Sequence, residues 1–184
     1  MITLADLDFL TSTSGEALLA YLAECDLSPK NHLALVSQLR KQHSISHVSS
    51  ALTLAQTRLR AVNKFGVVAH QLFFTPDALE QASDPHIRAY RAKRFDNQMV
   101  VDFCCGVGAD SLALAQPAKY VIGIDNDPVR IRMARLNADR LGIHHIEFIQ
   151  ADVTTRDLGS DESFFYDPAR RDEWNHYQKL SNDP

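Results

Sequence analysis

A loop with two glycines between an apolar run and an Ala/Leu-rich segment constrains the fold of this chain more than any other feature. The apolar run Val100–Phe103 contains Asp102, turns at Gly106 and Gly108, and continues as an apolar segment from Ser111. This order predicts a strand, a tight loop and a helix whose N-terminus faces a nucleotide-like ligand. We therefore expect an α/β fold with a doubly wound parallel sheet.

Two further apolar segments are each followed by a carboxylate. Asp125 ends the segment 120–125, 19 residues after Gly106, and Asp152 and Val153 follow the segment 146–150. A carboxylate at the end of the second strand can accept both hydroxyls of a ribose. Asp152 is placed to bond an adenine amino group. A simpler alternative is that the glycines only form the turns of the fold.

The spacing of the loop fits either a dinucleotide or S-adenosylmethionine, and three observations favour the second. Ser111 stands where the third glycine of a dinucleotide loop is expected. Asp102 would repel a pyrophosphate, whereas it can hold the ammonium group of a methionine. The acid after the third strand suits an adenine. An NAD-dependent oxidoreductase that uses Gly106, Gly108 and Asp125 is the less favoured interpretation.

The same residues resemble two motifs of class I S-adenosylmethionine-dependent methyltransferases. Residues 102–108 are similar to the first motif, in the D-x-x-C-G-x-G form frequent among RNA-modifying members, and residues 125–128 are similar to the second. The pair Cys104–Cys105 departs from the looser family pattern. The resemblance implies S-adenosylmethionine as cofactor. Its predicted contacts are Thr75, Asp102, Phe103, Cys104, Gly106, Gly108, Asp125, Asn126, Asp152 and Val153.

A fourth motif begins in the apolar run 164–166, which we expect to be a buried strand. The following residues resemble the Asp/Asn/Ser-Pro-Pro-aromatic motif of enzymes that methylate nitrogens of bases, with Ala169 in place of the second proline. The resemblance implies catalytic roles for Asp167 and Pro168, which would orient an acceptor amine, and substrate contacts for Tyr166 and Arg170. The alternative is a surface turn in which Asp167 pairs with an arginine.

Residues 60–171 resemble a bacterial family of methyltransferases that carries a THUMP-like C-terminal domain. Trimethylguanosine synthase is a more distant likeness. The segment Phe73–Pro76 is similar to one that covers the cofactor in base-amine methyltransferases, and Thr75 is also typical of a helix N-cap. Four strands are predicted where a class I methyltransferase has seven. We therefore expect a truncated chain whose fourth strand is an exposed edge, open to association.

The residues before the loop have helical periodicity, with helices predicted at 18–23, from Pro29, and from Ser46 to Asn63. The predicted domains are a helical N-terminal domain at 1–66, linker helices and a cofactor-covering segment at 67–97, and a partial S-adenosylmethionine-binding domain at 98–184. The expected architecture is thus a Rossmann-like class I methyltransferase core of about four strands behind an all-helical N-terminal domain.

Composition narrows the function classes further. Between residues 40 and 94 there are nine Lys and Arg against three acids, although the whole chain carries a net charge of −4. A basic region beside an acidic domain is typical of an enzyme that binds RNA.

The absence of a leader, of a membrane-length apolar run and of metal-ligand spacing predicts a cytoplasmic protein without a metal. We expect methylation of an RNA base nitrogen. The alternative is a non-catalytic, truncated module that binds cofactor or RNA.

Overall fold

The computed structural model describes residues 2–155, 159–160 and 162–168. The described strands are β1 (Met99–Phe103), β2 (Tyr120–Asp125), β3 (Ile146–Gln150) and β4 (Glu162–Tyr166). The described α-helices are α1 (Leu4–Leu10), α2 (Thr13–Ala23), α3 (Pro29–Leu39), α4 (Ile45–Phe65), α5 (Pro76–Gln81), α6 (Pro85–Ala92), α7 (Ala109–Leu114) and α8 (Pro128–Leu141). Short 3-10 helices lie at Gly66–Gln71, Lys93–Phe95 and Val153–Thr155.

The four strands form one parallel sheet in the order β3-β2-β1-β4. In its register, Val101 of β1 lies between Ile122 of β2 and Phe164 of β4. All four carboxyl ends therefore meet at one edge of the sheet, which is where ligands bind in open α/β sheets. The predicted α/β class and the order of strands and helices are confirmed.

Proline and capping residues explain where several helices begin. Pro76, Pro85 and Pro128 occupy first-turn positions, where the missing N–H has no helical partner to lose. The Thr75 hydroxyl accepts from the Ala78 N–H at 3.1 Å, so the predicted N-cap is confirmed. Sequence reasoning missed α1, although its first residues form a capping box. The Asp6 carboxylate accepts from the Thr3 N–H, and the Thr3 hydroxyl accepts from the Asp6 N–H.

One face of the sheet packs against helices. Val100 and Val121 contact Leu114 of α7 and Ala92 of α6 in one cluster, and Phe148 of β3 contacts α8 in a second. Apolar side chains on both partners thus form a core between this face and the helices.

The expectation that residues 164–166 form a buried strand is wrong. Phe164 and Tyr166 are 58% and 57% exposed, and only the alternate residue Phe165 packs, with its ring centroid 6.4 Å from that of Phe95. Because successive side chains of a strand point to opposite faces, α6 can cover only one side of β4. The expectation that β4 is an edge strand is confirmed in the described sheet.

The N-terminal helices pack on the same side as α8. Their largest apolar cluster, centred on α4, also includes Val107 of the glycine loop and Met133 of α8. Leu7, Leu10, Leu22 and Leu54 within it have no exposed surface. The helical region therefore supports the loop directly through a continuous core.

Candidate functional site

The loop between β1 and α7 is held in a rare backbone conformation. Cys104, Gly106 and Gly108 have φ angles of 63°, 56° and 84°. For a non-glycine residue such as Cys104 this left-handed conformation is uncommon, and it concentrates at functional sites. The Cys105 N–H continues the sheet by donating to the Ile124 carbonyl at 2.9 Å, and the Gly108 N–H closes the turn on the Cys105 carbonyl at 2.9 Å.

The two glycines serve different purposes. A Cβ placed on Gly106 would meet no atom within 4 Å, so this position borders open space at the sheet edge. A Cβ on Gly108 would lie 3.1 Å from the Phe148 ring and 3.2 Å from Ala134. Gly108 thus lets α7 approach β3 and α8, whereas Gly106 leaves room for a ligand against the backbone.

Asp125 braces this loop from the end of β2. Its carboxylate accepts from the Gly106 N–H and from the Asp127 N–H, both at 2.9 Å. The side chain is only 4% exposed. Gly106 and Asp125, which are 19 positions apart in the sequence, are therefore in direct contact, and Asp125 fixes the position of the loop. Each carboxylate oxygen has a second lone pair, so the group can still accept from a hydroxyl.

Asp102 lies under the same loop and is almost completely buried, at 2% exposure. The Ser111 hydroxyl of α7 donates to its carboxylate. Burial, opposed by this hydrogen bond, raises the pKa of Asp102 to about 8. The nearby charges of Asp110, Asp125 and Asp167 raise it further. At neutral pH the ligand-free group is therefore largely protonated.

A second set of charges lies beside the end of β4. Asp167 accepts from Arg91 of α6 at 2.9 Å, and the Arg91 guanidinium lies 5.8 Å from the centroid of the Phe165 ring. Burial also raises the pKa of Asp110 in α7, while Arg88 and Arg91 oppose that shift. The pairing of Asp167 with an arginine, which the sequence left open as the alternative to a catalytic role, is therefore observed.

Asn137 of α8 joins the segment that contains Thr75 to the glycine loop. Its amide oxygen accepts from the Phe73 N–H at 2.6 Å, and its amide nitrogen donates to the carbonyls of Phe73 and Val107, both at 3.0 Å. Asn137 is 1% exposed. The cofactor-covering segment expected at residues 73–76 is therefore anchored beside the loop.

The predicted residues after β2 and β3 are less enclosed. Asn126 and Asp152 are exposed, and Val153 is half-buried. The Asp152 carboxylate accepts from the N–H and the hydroxyl of Thr154, at 2.9 and 2.8 Å, and these bonds lower its pKa. Asp152 lies at the sheet edge, but its side chain is turned to its own loop.

The remaining predicted residues lie at the loop and at the end of β4. Phe103 and Cys104 are half-buried, Pro168 is exposed, and Tyr166 is one of the two exposed aromatic residues of β4. Burial raises the pKa of the Cys104 thiol and, to a greater extent, that of Cys105, so both thiols stay protonated. Arg170 lies outside the described residues.

Several cations of the basic region between residues 40 and 94 are held by contacts within the fold. Arg58 and Arg88 stack on the rings of Phe73 and Phe65 and donate to backbone carbonyls. Lys64 donates to three carbonyls at the end of α5. The exposed cations of this stretch include Arg40, Lys41, Lys93 and Arg94.

Two kinds of feature are absent from the described residues. No three His, Cys, Asp or Glu side chains there are grouped so that they could hold a metal ion. No helix there has the length and apolar character needed to cross a membrane. The Nε2 atom of His145 lies 2.6 Å from the Ala115 carbonyl oxygen.

Sequence reasoning missed several residues that shape this site. In the sequence, Ser111 stands out only as the residue in place of a loop glycine, and no motif singles out Asn137 or Arg91. The short sequence separation of Asp102 and Ser111, nine positions, is a weak signal for their contact. The contacts of Asn137 and Arg91 span 64 and 76 positions, and no local pattern indicates them.

Comparison with known families divides the chain into two matched parts. Residues 3–61 match a family model described as a domain of unknown function. Residues 100–166 match a methyltransferase domain. This match runs from β1 to the end of β4 and confirms the predicted type of domain.

Curated relatives extend the comparison. An uncharacterized S-adenosylmethionine-dependent methyltransferase of Mycobacterium tuberculosis is 37% identical over 119 residues, which are 62% of this chain and 33% of the relative. The 23S rRNA (uracil(1939)-C(5))-methyltransferase of Aliivibrio fischeri is 26% identical over 135 residues, which are 70% of this chain and 31% of that protein. The chain spans about a third of the length of these relatives.

A solved structure gives the same fold. A protein of Porphyromonas gingivalis assigned as a methyltransferase superposes with a TM-score of 0.58 at 20% identity, over 72% of this chain and 33% of its own. At this identity the likeness concerns the fold alone. The predicted Rossmann-like architecture behind a helical N-terminal region is confirmed.

Proposed function

We propose that this protein is an S-adenosylmethionine-dependent methyltransferase that acts on RNA. The observation that carries the proposal is the loop from Asp102 to Gly108, which Asp125 braces at the carboxyl edge of the sheet beside open space at Gly106. The match of residues 100–166 to a methyltransferase domain and the names of the curated relatives support it. When bound, the cofactor would supply a methyl group activated by its sulfonium.

The residues present fit that cofactor. Gly106 borders the space that a ligand on the backbone would fill. Asp125 would accept from the ribose hydroxyls, and Asp102 would hold the methionine ammonium after giving up its proton. Phe103, Cys104 and Gly108 would shape the loop wall, and Thr75 would cover it. Asn126, Asp152 and Val153 would line the adenine side.

On the acceptor side, Asp167 and Pro168 would orient a nitrogen of a base. The Asp167 carboxylate can accept a hydrogen from an amine and thereby direct its lone pair. To do so, the Asp167 carboxylate must share or give up its ion pair with Arg91, whose side chain is about a third exposed. Tyr166 is exposed beside it and would stack on the base, and Arg170 completes the proposed substrate contacts.

RNA as substrate is supported by one group of exposed residues and by the rRNA methyltransferase among the relatives. Tyr90 of α6 is 66% exposed, and the Arg94 guanidinium lies 5.7 Å from its ring centroid. They lie in the same part of the chain as Arg91, which bonds Asp167. Aromatic and cationic groups together are typical of surfaces that bind single-stranded RNA.

The first test is a calorimetric titration with S-adenosylhomocysteine, with NAD as the comparison ligand. Micromolar binding of S-adenosylhomocysteine alone is the expected result. Binding of NAD instead would establish the oxidoreductase alternative. Binding of neither by a chain that circular dichroism shows to be folded would refute the assignment of Asp102, Asp125 and Asp152.

The second test separates the acceptor side from the cofactor side. RNA incubated with labelled S-adenosylmethionine is digested to nucleosides, which distinguishes methylation at nitrogen from methylation at carbon. Asp167→Asn should lower kcat by about a hundredfold or more, the range for losing a positioned acid–base group, while leaving S-adenosylhomocysteine affinity unchanged. A chain that binds cofactor and methylates no RNA would favour the non-catalytic alternative.

The RNA surface has a matched control. Lys93→Glu with Arg94→Glu should weaken RNA binding and reduce its salt dependence, because these charges would neutralise phosphates. Arg40→Glu with Lys41→Glu reverses the same charge at the end of α3. An equal loss of RNA affinity in the two double variants would contradict the proposed surface, because the effect would then follow from net charge alone.

A further inference from the structure

A cavity of about 370 Å³ lies among the helices, and the proposed methylation site does not use it. Its walls come from α2, α4, the end of α8 and the 3-10 helix at residues 66–71. Leu19, Leu22 and Ala55 make its inner wall apolar, and the exposed residues Ala20 and Ala23 lie at its rim. Pockets of this size and character hold small ligands.

Arg58 brings a positive charge into this cavity. Its Nε–H donates to the Leu72 carbonyl at 2.8 Å, and its guanidinium lies 5.1 Å from the centroid of the Phe73 ring. Within the part of the chain that the structure describes, Arg58 has no ion pair and no further hydrogen bond. The four N–H groups of its two terminal nitrogens thus remain available on the cavity wall.

The charges around the cavity do not balance. Two guanidinium groups, of Arg58 and Arg140, line the cavity with one carboxylate, that of Glu16, and this carboxylate pairs with Arg140. Burial lowers the pKa of Arg58 to about 10, the positive charge of Arg140 adds to that effect, and the negative charge of Glu16 opposes it. Arg58 is still charged at neutral pH. A partly buried cation without a counter-ion is unfavourable, and an anion that reaches it restores the balance.

We infer that this cavity binds a small molecule that carries one anionic group, a carboxylate or a phosphate, on an apolar body. The anion would accept from the terminal nitrogens of Arg58. The apolar body would lie against the leucine wall, where its burial removes hydrocarbon surface from water. Nothing in this inference depends on the cofactor site, so the two can fail separately.

Three probes of similar shape test the inference by calorimetry on the full chain: naphthoate, naphthyl phosphate and neutral naphthamide. Both anions should bind at least about tenfold more tightly than the amide, the difference expected for a charge-assisted hydrogen bond. The better of the two anions identifies the acid group. Equal binding of the amide, or no binding of any probe at millimolar concentration, would overturn the inference.

Variants place the binding in this cavity. Ala23→Phe fills the rim from an exposed position and should abolish anion binding, whereas Ala17→Phe on the same helix is exposed outside the cavity and should not. Removal of charge should act in opposite directions: Arg58→Gln weakens anion binding, and Glu16→Gln strengthens it. Binding that survives Ala23→Phe unchanged would refute the site.

Discussion

The carboxyl ends of β2 and β4 both present an aspartate, but the two are held in different ways. Asp125 is 4% exposed and receives two backbone N–H groups, whereas Asp167 is about a third exposed and receives one arginine side chain. Backbone donors are fixed by the fold, while a long side chain can change its rotamer. The proposed cofactor side is therefore preorganised, and the proposed acceptor side is exchangeable.

This difference corresponds to the two tasks that we propose. A cofactor of constant shape is bound best by groups that need no rearrangement. An acceptor base must enter and leave, and a partly exposed ion pair is weak enough to open for it. The predictions below test whether the two strand ends differ as much as their contacts indicate.

Asp125→Ala should have the largest effect. It removes the acceptor for two backbone donors of the loop, at Gly106 and Asp127. We expect a loss of about 3 kcal/mol in the free energy of unfolding, from hydrogen bonds to a charged group, together with weaker S-adenosylhomocysteine binding. Urea denaturation and calorimetry measure the two. Unchanged stability would show that the loop does not depend on this carboxylate.

Gly123→Ala should come next, because β2 has no room for a side chain at this position. The added Cβ would lie 2.6 Å from one carbon of the Phe148 ring and 3.2 Å from the Cβ of Cys105. Overpacking of this kind costs about 2 kcal/mol. The double variant with Phe148→Leu should lose less than the sum of the two single variants. If the losses in the free energy of unfolding, measured by urea denaturation, were fully additive, the contact with Phe148 would not be the cause of the destabilisation.

The buried Asp102 should make stability depend on pH. Its folded pKa of about 8 lies above the ordinary aspartate pKa of 3.8, so the folded state binds more protons between these values. Stability from this group is complete below about pH 4 and is lost as pH rises through about 8, by about 1 kcal/mol per pH unit at the steepest part. Asp102→Asn should flatten this part of the profile. Identical profiles would mean that Asp102 is ionised when buried.

The ion pair at the end of β4 should contribute least. Arg91 and Asp167 are both about a third exposed, and exposed pairs contribute less than about 1 kcal/mol. A double-mutant cycle with Arg91→Gln and Asp167→Asn measures their coupling. A coupling of several kcal/mol would remove the contrast between the two strand ends, since the acceptor side would then be as rigid as the cofactor side.

The sequence predicted much of the fold because its signals were local. Residues 120–125 and 146–150 were found at the bounds that the strands have, and the prolines marked helix starts. The position of the loop at Gly106 and Gly108 followed from the same kind of signal. The capping box of α1 was equally local and was overlooked.

The rest depended on contacts between distant segments. The expected burial of residues 164–166 was wrong because an apolar run does not show which face of a strand is covered, and only the face of Phe165 packs, against Phe95. The basic residues were counted correctly, but Arg58, Lys64 and Arg88 bind carbonyls that only the folded chain brings near them.

The single amide of Asn137 has a consequence for motion. Because it holds both backbone groups of Phe73 and the carbonyl of Val107, the segment before α5 cannot open without also releasing the loop. The two should therefore exchange their amide hydrogens with solvent as one cooperative unit. A ligand at Gly106 would then slow exchange at Phe73, in a segment that the ligand need not touch.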